Sequence, residues 1–206
     1  MSTDTPTIDT PSGPAAWHRF LCWVHNRLII TGDLHEDLYR AIAQLEEWVR
    51  AGVTHIVDVR WEHSDAELVA DLAPGVEYVW AGVDDHLGEQ PDEWFDRVLD
   101  QLGDAIHDPD AVILVHCHMG VNRGPSMALR ILLEQGWDAV AALDAMRAAR
   151  PIANVAYAES AVRHFHRRQP GTAAERLEDL RRVRRWQADW PLDVRTIVSE
   201  IGRATR

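Results

Sequence analysis

One short segment, residues 111–116 (AVILVH), constrains the fold more than any other part of this 206-residue chain. It is continuously apolar, follows an Asp-Pro-Asp turn and leads into a loop that contains two glycines. A strand of this kind is buried on both faces, which is typical of a parallel sheet with helices packed on each side. The segment therefore predicts an α/β fold in which this strand is the most buried one.

Strands and helices alternate along the rest of the chain. Short β-branched runs predict strands at residues 27–31, 54–60 and 76–83. Apolar residues at helical spacing predict helices at residues 34–49, 65–72, 91–106, 125–135, 138–149 and 155–167, and Asp33 with Glu36 resembles a capping box for the first of these. We therefore expect a single central, mostly parallel sheet of about 4–5 strands flanked by helices in three α/β/α layers.

The composition divides the chain into three parts. Residues 1–16 are rich in Thr, Pro, Ser and Asp and are expected to form a disordered arm. Residues 17–168 carry the alternating elements, and residues 169–206 form an Arg-rich helical extension. In residues 1–162, 10 Arg against 27 acidic residues give a net charge of −17, whereas 11 Arg against 6 give +5 beyond them. We expect the extension to pack on the acidic body; a dimer contact and an anionic partner or membrane surface are the alternatives.

Composition also excludes several classes of protein. A chain with 46% hydrophobic and 26% charged residues is not wholly disordered. No apolar run approaches the ~20 residues that span a bilayer, and the first residues lack the features of a secretory signal. Two cysteines, Cys22 and Cys117, are too few for a disulfide framework. We therefore expect a cytoplasmic protein, with no nucleic-acid surface on its acidic main domain.

The most informative stretch is the loop after the buried strand, HCHMGVNRGPS at residues 116–126. Ligands bind beyond the carboxyl ends of parallel strands, and a loop that enters a helix N-terminus turns its backbone N–H groups toward an anion. Such a cradle favours the thiolate of Cys117. Six residues later, the planar guanidinium of Arg123 matches two phosphate oxygens. A thiolate, an anion cradle and an arginine are the parts needed for nucleophilic attack on a phosphate monoester.

Three other chemistry-bearing features receive plainer interpretations. His116, Cys117 and His118 are adjacent residues that point in alternate directions, and no second ligand pair at zinc spacing is present, so we expect no metal or other cofactor. Cys22 lies among apolar residues and is expected to be a core side chain. Arg150 precedes a proline at a helix end and is expected to cap the carbonyls of that helix.

Residues 116–123 resemble the signature His-Cys-x-x-Gly-x-x-Arg of the cysteine-dependent protein tyrosine phosphatase superfamily. The length and spacing are most similar to the compact dual-specificity phosphatases, and the resemblance covers residues 27–168. It implies that Cys117 forms a phosphocysteine intermediate and that His116 supports the loop. It also implies that the phosphoryl group is bound by the loop residues His118, Met119, Gly120, Val121, Asn122, Arg123 and Gly124.

The same resemblance implies a general acid on the loop after the preceding strand. That loop carries Asp84 and Asp85, and Asp85 lies 32 residues before Cys117. Trp94 and Phe95 match the aromatic pair that relatives carry at the start of the next helix, and this register selects Asp85, with Asp84 as the alternative. A proton delivered to the leaving oxygen is worth roughly 10²–10⁴ in rate.

One position departs from the family pattern. Relatives usually carry Ser or Thr directly after the arginine, where the hydroxyl helps the thiolate to leave, whereas this chain has Gly124. Ser126 and Asn122 are the candidates to replace that hydroxyl. Two functions therefore remain open: a phosphatase that acts on a phosphorylated protein, lipid or metabolite and hydrolyses its phosphoenzyme slowly, or a phosphate-binding module with weak or no turnover.

Overall fold

Five strands form one sheet in the part of the chain that the computed structural model describes, which is residues 11–86 and 88–205. The strands are β1 Cys22–His25, β2 Leu28–Thr31, β3 His55–Arg60, β4 Glu77–Val83 and β5 Ile113–His116. Their order is β1-β2-β5-β3-β4, with β1 antiparallel to β2 and every other neighbouring pair parallel. The predicted α/β fold with a mostly parallel sheet is confirmed, and β5 lies at the centre of the sheet.

Helices cover both faces of this sheet. They are α1 Pro14–Trp17, α2 Leu38–Arg50, α3 Ala66–Leu72, α4 Asp92–Leu102, α5 Arg123–Glu134, α6 Ala139–Ala149, α7 Ala158–Arg168, α8 Ala173–Asp189 and α9 Val194–Ala204, with a 3-10 turn at Gly103–Ile106. Among the described residues, no helix combines the length and the apolar character needed to cross a membrane.

Alternate side chains of the central strands enter two separate parts of the core. In β5, Ile113 and Val115 join a cluster formed with α4, α5, α6 and α7, whereas Leu114 packs on the other side with α2 and α3. This three-layer packing fixes the carboxyl ends of β2, β3, β4 and β5 relative to one another. The loops that follow these strand ends therefore meet at one edge of the sheet.

The N-terminal third differs from the sequence prediction in three places. Helix α1 begins at Pro14, inside the segment that the sequence predicts to be a disordered arm, and the first ten residues of that arm lie outside the described residues. Helix α2 begins after Asp37, whose carboxylate accepts a hydrogen bond from the Arg40 N–H at 3.1 Å. Asp33 is therefore not a cap. Cys22, expected to be a core residue, is buried and begins the short edge strand β1, which the sequence did not predict.

The C-terminal extension packs against the rest of the chain. In α8, Leu180, Val183 and Trp186 are buried in the same cluster as the sheet. In α9, Ile197 and Ile201 are buried in a third cluster that contains Trp17 and Val121, the latter from the loop after β5.

Candidate active site

The loop between β5 and α5, residues 117–122, is held from one side through its carbonyl oxygens. Every carbonyl from residue 118 to residue 122 accepts at least one hydrogen bond, and the donors come from Asp33, His18, Arg150, Asn154, Val155 and Ser126. By contrast, the backbone N–H groups of residues 118–122 have no hydrogen-bond partner among the described residues. Because the C=O of one residue and the N–H of the next point in opposite directions in a trans peptide, the N–H groups of residues 119–122 face the other side of the loop. Converging amides of this kind form an anion-binding site.

Cys117 lies at the base of this loop. It is a free cysteine with 2% of its surface exposed. The first turn of α5 approaches it closely, since a Cβ atom built on Gly124 would lie 3.5 Å from the Cys117 Sγ. The positive end of the α5 dipole is therefore directed at the loop that contains the sulfur, which favours an anion there.

Arg123, the first residue of α5, is 3% exposed, and Glu62 holds its guanidinium in place. Its two terminal nitrogens donate to the Glu62 carboxylate at 2.8 and 2.9 Å, and Nη1 also donates to the Val83 carbonyl at 3.0 Å. Burial disfavours the charge, but the hydrogen bonds to Glu62, together with the negative charges of Cys117, Glu62 and Asp85, outweigh it and raise the pKa of Arg123. The buried Nε–H has no hydrogen-bond partner within the described ranges and is available to an anion.

Asp85 reaches this loop, whereas its neighbour does not. Its carboxylate accepts hydrogen bonds from the Tyr157 hydroxyl and from Asn122 Nδ2, the latter at 3.2 Å, and lies 3.8 Å from the Nε of Arg123. Asp84 is exposed, and its side chain has no hydrogen-bond or ionic partner in the described parts of the chain. The geometry therefore brings together Cys117, Arg123 and Asp85 and leaves Asp84 outside.

His116, the last residue of β5, lies on the face of the sheet that α2 covers. It is fully buried against Trp48, burial lowers its pKa, and neither ring nitrogen has a hydrogen-bond partner among the described residues. Its Nε2 lies 3.9 Å from an oxygen of the buried Asp58. Any support that His116 gives to the loop therefore acts through strand packing, not through a hydrogen bond to the loop.

Asp58, Asp65 and His116 present ligand atoms within 4.8 Å of one another, a spacing that a metal ion could occupy. The guanidinium of Arg60 already donates to both carboxylates, with Nε 2.9 Å and Nη2 2.7 Å from the Asp58 oxygens. The residues therefore match a buried ion-pair network in which the cation is an arginine.

The two residues considered as replacements for a hydroxyl at position 124 have other partners. The Ser126 hydroxyl donates to the Asn122 carbonyl at 2.8 Å and accepts from the Tyr157 N–H at 3.0 Å. The Asn122 amide donates to Asp85 and accepts from Asn154 Nδ2 at 2.9 Å. Both side chains therefore brace the loop and the candidate general acid, and these hydrogen bonds do not direct either one to the sulfur.

His118 is tied to the loop after β2. Its Nδ1 lies 2.6 Å from the buried carboxylate of Asp33, which also bonds to Arg19 at 3.0 Å and pairs with His18. The hydrogen bond to Asp33 raises the pKa of His118. Burial acts to raise the pKa of Asp33, but hydrogen bonds to His118 and His18 outweigh it and leave that pKa well below its usual range.

Three residues of this site were not predicted from the sequence. Glu62 and Asp33 each follow the end of a parallel strand, and this position was a usable signal because such strand ends converge. Tyr157 precedes α7, and no local pattern connects it to Asp85, 72 residues earlier. Its contribution depends on the packing of α7 against α5.

This chain resembles known proteins in both sequence and fold. Residues 39–162 match the family described as "Dual specificity phosphatase, catalytic domain". A segment of 59 residues is 41% identical to "Probable tyrosine-protein phosphatase pir-2" of Caenorhabditis elegans, and it spans 28% of this chain but only 16% of that protein.

Solved structures of low sequence identity share the fold. A mouse putative dual specificity phosphatase complexed with zinc tungstate aligns with a TM-score of 0.57 at 24% identity, covering 81% of this chain and 94% of that one. Human DUSP28 aligns with the same TM-score at 22% identity, covering 74% of this chain and 99% of that one. These similarities agree with the five-stranded sheet and its flanking helices.

Proposed function

This chain belongs to the dual-specificity phosphatase family, and from that membership we propose that it hydrolyses phosphate monoesters through a phosphocysteine intermediate on Cys117. The observation that carries the proposal is the arrangement of unpartnered donors around the sulfur. The amides of residues 118–122 and the buried Nε–H of Arg123 lack partners, while the carbonyls of residues 118–122 are bonded from behind. Such an arrangement stabilises a phosphoryl group at the position where charge develops.

The reaction proceeds in two steps. In the first, the Cys117 thiolate attacks phosphorus, the bond from phosphorus to the ester oxygen breaks, and Asp85 gives its proton to the leaving oxygen. In the second, water attacks the phosphocysteine, Asp85 accepts a proton from that water, and the thiolate leaves with inorganic phosphate as the product. The guanidinium of Arg123 and the loop amides bind the phosphoryl oxygens in both steps.

The proposed substrate is a phosphorylated protein side chain (Tyr, Ser or Thr), in line with the family. The thiolate mechanism requires a free cysteine, and both Cys22 and Cys117 are free. We therefore infer a reducing compartment, for which the cytoplasm is the proposed location. No residue of the candidate site requires a cofactor for these steps.

A second function is favoured by one specific observation. Gly124 provides no hydroxyl beside the sulfur, and the hydroxyl of Ser126 is bonded to Asn122 and Tyr157. A chain of this kind can retain phosphate binding while losing turnover. The alternative is therefore a phosphate-binding module with slow or absent hydrolysis.

Hydrolysis of p-nitrophenyl phosphate separates the two functions. We expect activity in the wild type, inhibition by vanadate, and loss of activity in Cys117→Ser. An inactive wild type that binds vanadate would support the binding module instead. An inactive wild type that binds neither vanadate nor phosphate would contradict both.

A further inference from the structure

Arg150 is a fully buried arginine at the end of α6 that the proposed chemistry does not use. Arg150 is the C-terminal capping residue of α6, as the sequence predicts, but only its backbone N–H bonds within the helix, to the Met146 carbonyl at 2.8 Å. Its guanidinium donates instead to the loop carbonyls of Gly120 and Met119, at 2.7 and 3.0 Å. Further hydrogen bonds go to the carbonyls of Trp17 and His18, at 2.8 and 3.0 Å. The residue therefore connects the N-terminal segment to the back of the loop that holds Cys117.

The charge of Arg150 is not balanced by a neighbouring carboxylate. Within residues 11–86 and 88–205, it makes no ion pair with Asp or Glu, and its other hydrogen-bond partners are the Phe20 carbonyl at 3.4 Å and the Cys22 Sγ at 3.3 Å. Burial lowers the pKa of Arg150, but a guanidinium remains protonated in proteins. A buried cation surrounded by carbonyl dipoles is costly unless an anion lies nearby.

The contact with Gly120 determines which way the loop amides point. Gly120 has a φ of +64°, and a Cβ atom there would lie 2.4 Å from Arg150 Nη2, so the guanidinium lies directly behind this residue. By holding the carbonyls of Met119 and Gly120, Arg150 directs the N–H groups of the same two peptide planes, those of Gly120 and Val121, to the opposite side. These N–H groups are among the unpartnered donors of the anion site.

The other charged groups around the sulfur are paired. Arg123 is bonded to Glu62 and lies near Asp85, and His118 is bonded to Asp33. His116, which precedes Cys117, is buried with a lowered pKa. Two cysteines act on the charge of Arg150, first Cys22, whose Sγ is 3.3 Å away, and then Cys117. Burial raises the pKa of the Cys22 thiol and keeps it neutral, which leaves the Cys117 site as the place for an anion.

We propose that Arg150 is a positioning residue of the phosphate site, which orients the Gly120 and Val121 amides from behind. Its positive charge is balanced by the anion on the other side of the loop, whether thiolate, phosphocysteine or bound phosphate. This inference rests on the proposed function. It goes beyond the proposed function because Arg150 contacts neither the substrate nor the Cys117 sulfur and acts through two peptide groups.

Two measurements that do not require turnover test this role. The first is the pH profile of Cys117 alkylation by the neutral reagent iodoacetamide, read by mass spectrometry, with Cys117→Ser reporting any reaction of Cys22. The second is the affinity for tungstate. In Arg150→Met, we expect the midpoint of alkylation to rise by about one pH unit, since a nearby cation lowers the cost of an anion by that order. We also expect tungstate to bind about tenfold more weakly.

Arg150→Lys and Arg147→Met are the matched variants. Lys keeps the charge but loses the planar set of donors, so its alkylation midpoint should stay near the wild-type value while tungstate binding weakens. Arg147 lies on the same helix and bonds to the carbonyls of Ala153 and Trp190, so its loss should leave both readouts unchanged.

A folded Arg150→Met with the wild-type midpoint and tungstate affinity would overturn the proposal. If Arg150→Met does not fold, Arg150→Lys decides: a midpoint raised by a full unit despite the retained charge would also overturn it. Because neither readout is hydrolysis, a protein that binds tungstate without turnover would contradict the proposed enzyme and still test Arg150.

Discussion

Asp84 and Asp85 are adjacent in the chain, yet the fold gives them different surroundings. The Asp85 carboxylate is held by Tyr157 and Asn122 near the Arg123 guanidinium, whereas the Asp84 side chain is exposed. Such contacts fix the position of a proton donor relative to the leaving oxygen, which is the requirement for general acid catalysis.

We expect Asp85→Asn to lower kcat for phenyl phosphate by roughly 10²–10⁴, because phenoxide is a poor leaving group that needs the proton. The loss should be smaller for p-nitrophenyl phosphate, whose leaving group is more stable as an anion. Steady-state kinetics on both esters measure the difference. Asp84→Asn is the control and should retain wild-type rates; an equal loss in both variants would contradict the assignment.

Gly124 is the residue at which turnover is expected to be limited. In wild type, we expect a burst of p-nitrophenol in stopped flow, because the phosphoenzyme forms faster than it is hydrolysed. In Gly124→Ser, a Cβ atom 3.5 Å from the sulfur places a hydroxyl within reach of the leaving thiolate. The burst should then shrink as the steady-state rate rises.

Ser126→Ala provides the comparison for this prediction, since its hydroxyl bonds to the Asn122 carbonyl and the Tyr157 amide. We expect it to leave the burst in place. A wild-type trace without a burst would show that hydrolysis of the phosphoenzyme is not the slow step.

The contact between His118, in the loop after β5, and Asp33, in the loop after β2, joins two elements and makes the stability of the fold depend on pH. Asp33 raises the pKa of His118, so the protonated form of this histidine stabilises the folded state. That stabilisation is complete below the unfolded value of about 6.5 and is lost as the pH rises through the folded value.

We therefore expect the free energy of unfolding of wild type to exceed that of His118→Gln most at about pH 5.5 and least at about pH 8.5. Urea denaturation across this range measures the difference. His107→Gln, at an exposed histidine, is the control and should show little change with pH. A difference between wild type and His118→Gln that grows with pH would refute the stabilising role of this pair.

The elements were predictable from the sequence where the signal is periodic. The apolar run at 111–116 and the helical spacing around it identified the core strands and helices, because an element that buries one or two faces needs apolar residues at regular spacing. The edge strand β1 and the one-turn helix α1 lack such a period, because four residues are too few to show one. They were missed for that reason.

The candidate site was predictable to the extent that it is contiguous in the chain. Cys117, Gly120 and Arg123 lie within one loop, so the chemistry of that loop could be inferred directly. Tyr157 and Arg150 come from two other segments, and each acts through a contact that only the packing of helices on the sheet creates. Long-range partners of this kind leave no spacing to detect.

At the scale of the whole molecule, the C-terminal extension buries apolar side chains against the rest of the chain. Trp186 of α8 is 5% exposed, donates to Asp144 at 2.7 Å and lies beneath the guanidinium of Arg147, 4.8 Å from its ring centre. Its neighbours Leu180 and Val183 are buried in the same cluster as the sheet. The extension is therefore bound to the body through apolar contacts as well as through its arginines.

We expect Trp186→Ala to lower the free energy of unfolding by about 3–5 kcal/mol, as for other large buried side chains. Trp190→Ala is the matched control, because Trp190 is 60% exposed and its loss should change stability by no more than about 0.5 kcal/mol. Urea denaturation compares the two. Equal, small effects would mean that the extension does not stabilise the domain.

The proposed mechanism requires a covalent phosphoryl group on Cys117. The most direct test is rapid acid quench of wild-type protein with p-nitrophenyl phosphate, followed by mass spectrometry of the peptide that contains Cys117. We predict one phosphoryl group on Cys117 during turnover and none in Cys117→Ser. Turnover without a modified Cys117, or with the phosphoryl group on another residue, would contradict this mechanism.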